Sequence, residues 1–130
     1  MSNSEDTKNY LSLEKLEAYK KARELSRITW RFFNKLSWED KKIGGFQFID
    51  STDSVGANIA EGYGRFHYLD KAKFYYNSRG SLLESLHWFE LLDERQKIDE
   101  KGKSDYLRCY KSLRPLLNGL IRSVIKQKNS

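Results

Sequence analysis

The chain has 130 residues, 32% of them charged and 14% aromatic, and carries a formal net charge of +6. That length predicts one domain with a real core, and eighteen aromatic rings exclude a chain too polar to fold. A single cysteine, Cys109, excludes an internal disulfide, and no apolar run nears the roughly 20 residues that span a bilayer, so the expectation is a soluble, cytoplasmic protein.

After a polar stretch 1–11, expected to be a disordered tail, four helical segments and no convincing strand follow. The first is predicted from about Ser12 to Leu36, with Ala18, Ala22, Leu25, Thr29, Phe32 and Leu36 recurring at steps of three and four. Ser12 makes a poor capping box with Lys15 but is able to cap alone. The second runs from about Trp38 to Glu61, with Ile43, Phe46, Ile49, Gly56 and Ala60 expected inward. Glu39 and Asp40 oppose the positive end of its dipole, and Gly44-Gly45 leaves its first turns soft.

The third segment, about Tyr68 to Gln96, is apolar nearly all round. Leu82, Leu83, Leu86, Trp88, Phe89, Leu91 and Leu92 cannot all face one small core, nor can Phe74, Tyr75 and Tyr76. Such a helix asks for cover on several sides, which a second subunit supplies, with Tyr75, Trp88 and Leu92 as the expected interface. The fourth, about Ser104 to Lys126, repeats Tyr106, Tyr110, Leu113, Leu117, Leu120 and Val124, while Pro115 is expected to kink or divide it near Lys111–Arg114. Short connections predict an antiparallel up-down-up-down four-helix bundle, one all-α domain over 12–127 with a brief tail at 128–130.

Across the end of the second segment, Ser54-Val55-Gly56-Ala57-Asn58-Ile59-Ala60-Glu61-Gly62-Tyr63-Gly64-Arg65 places small residues at helical spacing and then glycines. Gly56, Ala57 and Ala60 allow a neighbouring helix to approach closely. Gly62 is expected to end the helix in a left-handed conformation, and Gly64 to tighten the turn. Asn58 and Glu61 share a face; they suit a ligand or, more simply, the free N–H groups of the corner.

The stretch Ala57 to Arg65 resembles the central motif of the bacterial four-helix-bundle family called 23S ribosomal RNA intervening-sequence proteins. Gly80-Ser81-Leu82 with Glu84, Leu117 to Ser123 and Leu16 to Ala22 agree with it in order and spacing. The resemblance covers about residues 13 to 125. It implies a homopentamer and a similarity to the accessory proteins of diversity-generating retroelements, basic pentamers that bind nucleic acid and a reverse transcriptase. It supplies no catalytic residues and no cofactor. The family usually carries a pair of arginines, small apolar residues and a proline before the motif. This chain has Asp50 and Asp53 in that stretch, Gly56 for the proline, and His67 where a capping serine is common.

Charge is uneven. Residues 1–102 hold 17 basic and 17 acidic side chains, whereas residues 103–130 hold seven basic ones against Asp105 alone. On a helical wheel Lys103, Arg108, Lys111, Arg114, Arg122, Lys126 and Lys128 fall within an arc of about 160°, with Arg108, Lys111, Arg122 and Lys126 within about 60° of one another. Two readings fit: a stripe that contacts RNA or DNA phosphates, with Arg114 at its edge, or a solvated face. Arg23, Arg27, Arg31 and Lys35 form a second ridge, at i,i+4, on the first helix. Like charges at that spacing repel, and pairing with another helix or subunit explains them better than nucleic acid does. Tyr68, Phe74, Tyr75 and Tyr76 lie near Lys71, Lys73 and Arg79, as base-stacking rings would, although core or interface is the commoner use of such a run.

His67 and His87 are too far apart to share a metal, Cys109 reads as a small buried hydrophobe, and no triad, paired carboxylates or phosphate loop appears. The expectation is a non-catalytic oligomeric accessory protein that binds RNA or DNA with low sequence specificity. The alternative is a protein–protein scaffold.

Overall fold

The computed structural model describes residues 13–128, which are helical with no strand among them. The tail at 1–11, the Ser12 cap and residues 129–130 lie outside the described residues. Helix α1 spans Glu17–Lys35 and buries Ala18, Ala22, Leu25, Ile28, Thr29, Phe32 and Phe33, the stripe its periodicity predicts. It stops at Leu36, whose N–H bonds back to the Phe33 carbonyl at 3.1 Å. Ser37 then caps α2, Trp38–Asp40, by accepting the Asp40 N–H at 3.1 Å.

The chain continues through a π turn, Lys41–Gly45, into α3, Phe46–Tyr63. Asp40, Lys41, Gly45 and Phe46 all keep right-handed helical angles, so the three pieces form one rod. The Phe46 N–H reaches back five residues to the Lys41 carbonyl, the spacing of a π turn. Gly44 and Gly45 are both buried there, and a Cβ on Gly45 would lie 2.8 Å from Leu36 Cδ1.

The inward face of this rod differs from the expected one. Phe48, Thr52, Val55, Ile59 and Gly62 are buried, while Ile43 and Phe46 are exposed. The true core line contains Ser51 and Thr52, whose hydroxyls bond to the Phe48 carbonyl at 3.1 and 2.8 Å; a search for apolar periodicity passes over them. The π turn also breaks the helical phase between Ile43 and the residues after it. Of the expected stripe, Gly56 is buried, and Ile49 and Ala60 flank the seam with α1.

Helix α4 spans Tyr68–Glu94 and packs along α3 on one side and α5 on the other. Tyr75, Ser78, Leu82, Ser85, Phe89 and Leu92 form one stripe about 100° wide, buried between those two neighbours. Tyr75 and Leu92 are only 3% and 1% exposed, so the chain itself covers two of the three residues expected at a subunit interface. Trp88 is half-buried, and its ring flanks Gly44. The helix ends with Gln96 at φ 61°, the Lys97 N–H bonding to Leu92 O and the Gln96 N–H to Asp93 O, both at 2.9 Å. Those two bonds form a Schellman motif, with glutamine in the position glycine usually takes.

Helix α5 spans Glu100–Lys128. Asp99 caps it, accepting the Gly102 N–H at 2.6 Å. Gly102 is required, because a Cβ there would collide with the Phe32 ring of α1. The helix is not divided at Pro115 but runs through it. Pro115 and Lys111 are both exposed, so the carbonyl that loses its N–H partner stands on the wet side. Its inward line is Tyr106, Cys109, Leu113, Leu117, Ile121 and Val124. α1 and α4 each pack against both α3 and α5.

Polar atoms run through the centre of this core. Tyr106 stacks on Phe89 at 4.1 Å, and its hydroxyl lies 2.7 Å from Ser85 Oγ. Ser85 Oγ lies 2.6 Å from Thr52 Oγ1, which donates to Phe48 O. Ser78 donates to Val55 O at 2.8 Å, so two small hydroxyls of α4 let it settle close against α3. These contacts join α5, α4 and α3 through satisfied hydrogen bonds in low dielectric.

Candidate nucleic-acid interface

The outward face of α5 follows from its inward one. With Tyr106, Leu113, Leu117 and Val124 buried, the 100° step turns Arg108, Lys111, Arg122 and Lys126 to the opposite side, and all four are exposed. Arg108 to Lys126 covers about 27 Å of helix axis. No acidic residue follows Asp105 on this helix. Arg108 lies loosely against Asp105 at 3.7 Å and Ser104 at 3.4 Å, and its side chain remains 74% exposed. Lys103, by contrast, turns toward α4 and pairs with Asp93 at 2.9 Å, which raises its pKa through that hydrogen bond. It leaves the stripe.

Arg114 stands apart from the four, in a groove between α4 and α5 that it shares with Arg79, Leu83, Tyr110 and Asn118. Arg79 donates to Asn118 Oδ1 at 3.4 Å and lies 5.0 Å from the Tyr76 ring centre. The fold thus brings Arg79 beside the basic face, although only their shared charge links the two segments in sequence. Lys73 and Arg65 stand over the Phe74 ring at 5.6 and 4.9 Å, so rings expected to stack on bases already hold cations of their own chain.

At the corner, Gly62 is not left-handed and does not end its helix. It is buried inside α3, where a Cβ would lie 2.8 Å from Tyr75 Cε1 and 3.1 Å from Phe74 Cβ. Its small size is set by α4 crossing over it. Gly64, in right-handed geometry, is the helix end, and its N–H bonds to Ala60 O at 3.1 Å. Lys71 reaches back to donate to the carbonyls of Tyr63 at 2.9 Å and Gly62 at 3.3 Å, a cation at the negative helix end, with burial lowering its pKa. Asn58 donates to Ser54 O at 2.8 Å within its own helix, and Glu61 pairs with Arg65. Neither reaches the corner N–H groups. His67 offers no side-chain cap, as its place in the sequence suggests.

Across the motif, Gly56 lies against Ala22, where a Cβ would be 3.5 Å from the alanine Cβ. Outside that contact α1 and α3 enclose an open groove of about 600 Å³. Gly56, Ala57 and Ala60 form its floor, and Tyr19, Arg23, Arg27 and Trp30 stand along α1. Trp30, 52% exposed, stacks on Phe33 at 5.4 Å; Phe33 meets Phe46 at 5.2 Å and Phe46 meets Trp38 at 5.9 Å. This aromatic row is split between two segments, so neither half is conspicuous in sequence. Glu24 pairs with Lys21 at 3.0 Å rather than with Arg27, and Lys35 finds Asp99 at 3.3 Å. Arg27 and Arg31 make no ion pair with a described residue. Asp53, on α3, lines the same groove, and Asp50 is exposed one turn before it.

Cys109 is buried with its thiol 3.4 Å from Lys21 O, and burial pushes its pKa up to about 12, which keeps it protonated and unreactive. His67 and His87 are exposed, and among the described residues no three His, Cys, Asp or Glu side chains gather as a metal site. No helix among the described residues is long and apolar enough to cross a membrane.

Long packed helices, a hydroxyl-linked core and an outward row of cations define a small all-helical protein. Its family is equally clear: residues 14–119 match the model of the 23S rRNA-intervening sequence protein, and the chain belongs to that family. No curated protein matches the chain.

Proposed function

We propose that this chain is an antiparallel up-down-up-down four-helix bundle acting as a non-catalytic, oligomeric accessory protein in the cytoplasm. Its α5 face binds RNA or DNA with low sequence specificity. The observation that carries this reading is the line of exposed Arg108, Lys111, Arg122 and Lys126, with no acid on α5 beyond Asp105 to neutralise it. Cations spread over about 27 Å span several phosphates of either nucleic acid, and such contacts position without reading bases. The family name, with its reference to 23S rRNA, supports RNA as the first ligand to try. Family resemblance also supports a homopentamer and a reverse transcriptase as a protein partner.

Fluorescence anisotropy with a structured RNA and a duplex DNA, over a salt series, tests the reading. Affinity should fall steeply as salt rises, and Arg108→Glu, Lys111→Glu and Arg122→Glu together should lower it by about a hundredfold or more. If the unmodified protein fails to bind either at low salt, the reading fails. Exposed Trp30, Phe46 and Trp38, arranged around buried Phe33, favour a second reading, a protein–protein scaffold, since exposed aromatic side chains cluster at protein interfaces. Under that reading the α5 triple variant keeps its full set of bound proteins in pull-downs from its host.

A further inference from the structure

Two outer surfaces of this chain carry opposite net charge. On α1, Arg27 and Arg31 lack an ion pair among the described residues and rim a groove holding Trp30 and floored by Gly56, Ala57 and Ala60. On α4, residues 80–94 contain four acids and no lysine or arginine. Asp93 is taken by Lys103. Glu84, Glu90 and Glu94 are exposed and pair with no cation among the described residues. Leu83 stands among them, 64% exposed.

Gly80 adds a separate observation. It sits mid-helix on this face, and a Cβ there would meet nothing within 4 Å. Glycine weakens a helix interior, and nothing in the chain's own packing requires it. A glycine on an outer helix face suits close approach by another backbone. The groove floor of Gly56, Ala57 and Ala60 has the same low profile.

We propose that a second copy of this chain lays the outward face of its α4, from Gly80 to Glu94, into the α1/α3 groove, pairing Glu90 and Glu94 with Arg27 and Arg31. The proposal rests on the homo-oligomeric reading above and names its contact surfaces. Arg27 to Arg31 and Glu90 to Glu94 each cover about 6 Å of axis at the same i,i+4 spacing, so two pairs can form together. α1 and α4 occupy opposite corners, each flanked by α3 and α5, so one chain cannot satisfy both faces itself. The contact is heterologous: every copy gives one face and receives the other, and the assembly closes as a ring or extends as a filament. Charge sets the register of the contact, while Leu83 and Trp30 supply its apolar part.

Size-exclusion chromatography with light scattering tests this by charge exchange. Arg27→Glu with Arg31→Glu should give monomers, as should Glu90→Lys with Glu94→Lys, each with an unchanged helical circular dichroism spectrum. The fourfold variant, with both faces reversed, should reassemble. An increase of at least about 100-fold in the dissociation constant is expected for each double variant. If both double variants assemble like the unmodified chain, or the fourfold variant stays monomeric, the proposed contact is wrong while an oligomer through another surface stands. If the unmodified chain is itself monomeric, the oligomeric reading falls with it. Loss of RNA binding without loss of assembly in the Arg27/Arg31 variant overturns the proposal in favour of a nucleic-acid groove.

Discussion

On α5 the cations stand on a convex helix face with no large apolar side chain among them until Ile125, near the end of the helix. On α1 they border a concave groove with Tyr19 and Trp30 between them. A convex, fully wet row gains little from any single contact and is most useful to a polyanion that touches many of its charges at once. A groove with aromatic walls and small-residue floor excludes water around its charges and fits a surface of defined shape. Equal charge thus points to unlike partners: on α5 a phosphate backbone, on α1 a second copy of the chain.

The largest expected effect separates the two surfaces. Reversing Arg108, Lys111 and Arg122 should lower RNA affinity by roughly a hundredfold or more at moderate salt, since about three phosphate contacts are lost, with the oligomer intact. Measured by anisotropy and light scattering on one sample, loss of both properties together would merge the surfaces into one. Next in size, Trp30→Ala should weaken assembly by about tenfold or more. Its folding stability should change by no more than about 1 kcal/mol, read by chemical denaturation, because half the ring is already in water.

Gly80→Ala sharpens the comparison from the other partner. It should raise monomer stability by about 1 kcal/mol, some 3 to 6 °C in melting temperature, because a better helix former enters open space. The same change should weaken assembly. Stabilised folding with unaltered assembly would remove Gly80 from the contact.

The smallest effect is a control away from both surfaces. The Gly102 N–H first, and Lys35 second, hold the Asp99 carboxyl below its usual range. A depressed carboxylate stabilises the fold above its unfolded pKa of about 4, and that gain disappears as pH falls through the folded value. Asp99→Asn keeps a capping residue without the charge, so its melting-temperature deficit should shrink between pH 6 and pH 3. A deficit constant with pH would show that the charge has no part in it.

The sequence made α1 and the inward line of α5 legible because both bury apolar residues at an unbroken 3.6-residue period. The rod through α2 and α3 was misread by about one residue of phase, for the physical reasons of its π turn and its buried hydroxyls. Gly62 was legible as important but not in its role, since Tyr75, which sets its size, is 13 residues further along the chain. The apolar excess of α4 was real, yet two neighbouring helices absorb Tyr75 and Leu92 and leave Leu83 outside. On α5 the four outward cations were legible from angle alone. Lys103 left the face because Asp93, which takes it, lies on another helix, and a helical wheel of α5 cannot include that partner.

The hydroxyl row in the core has a direction. Thr52 gives its single proton to the Phe48 carbonyl, so toward Ser85 it can only accept. Ser85 must therefore donate to Thr52 and accept from Tyr106. One carbonyl on α3 thereby orders the protons of three side chains on three helices. The row works as a key: a helix shifted along its axis keeps it only by again presenting a donor and an acceptor at the same two places. Apolar side chains tolerate such slippage far better than a one-way relay does, so these helices keep a single alignment where a wholly greasy interior would permit several.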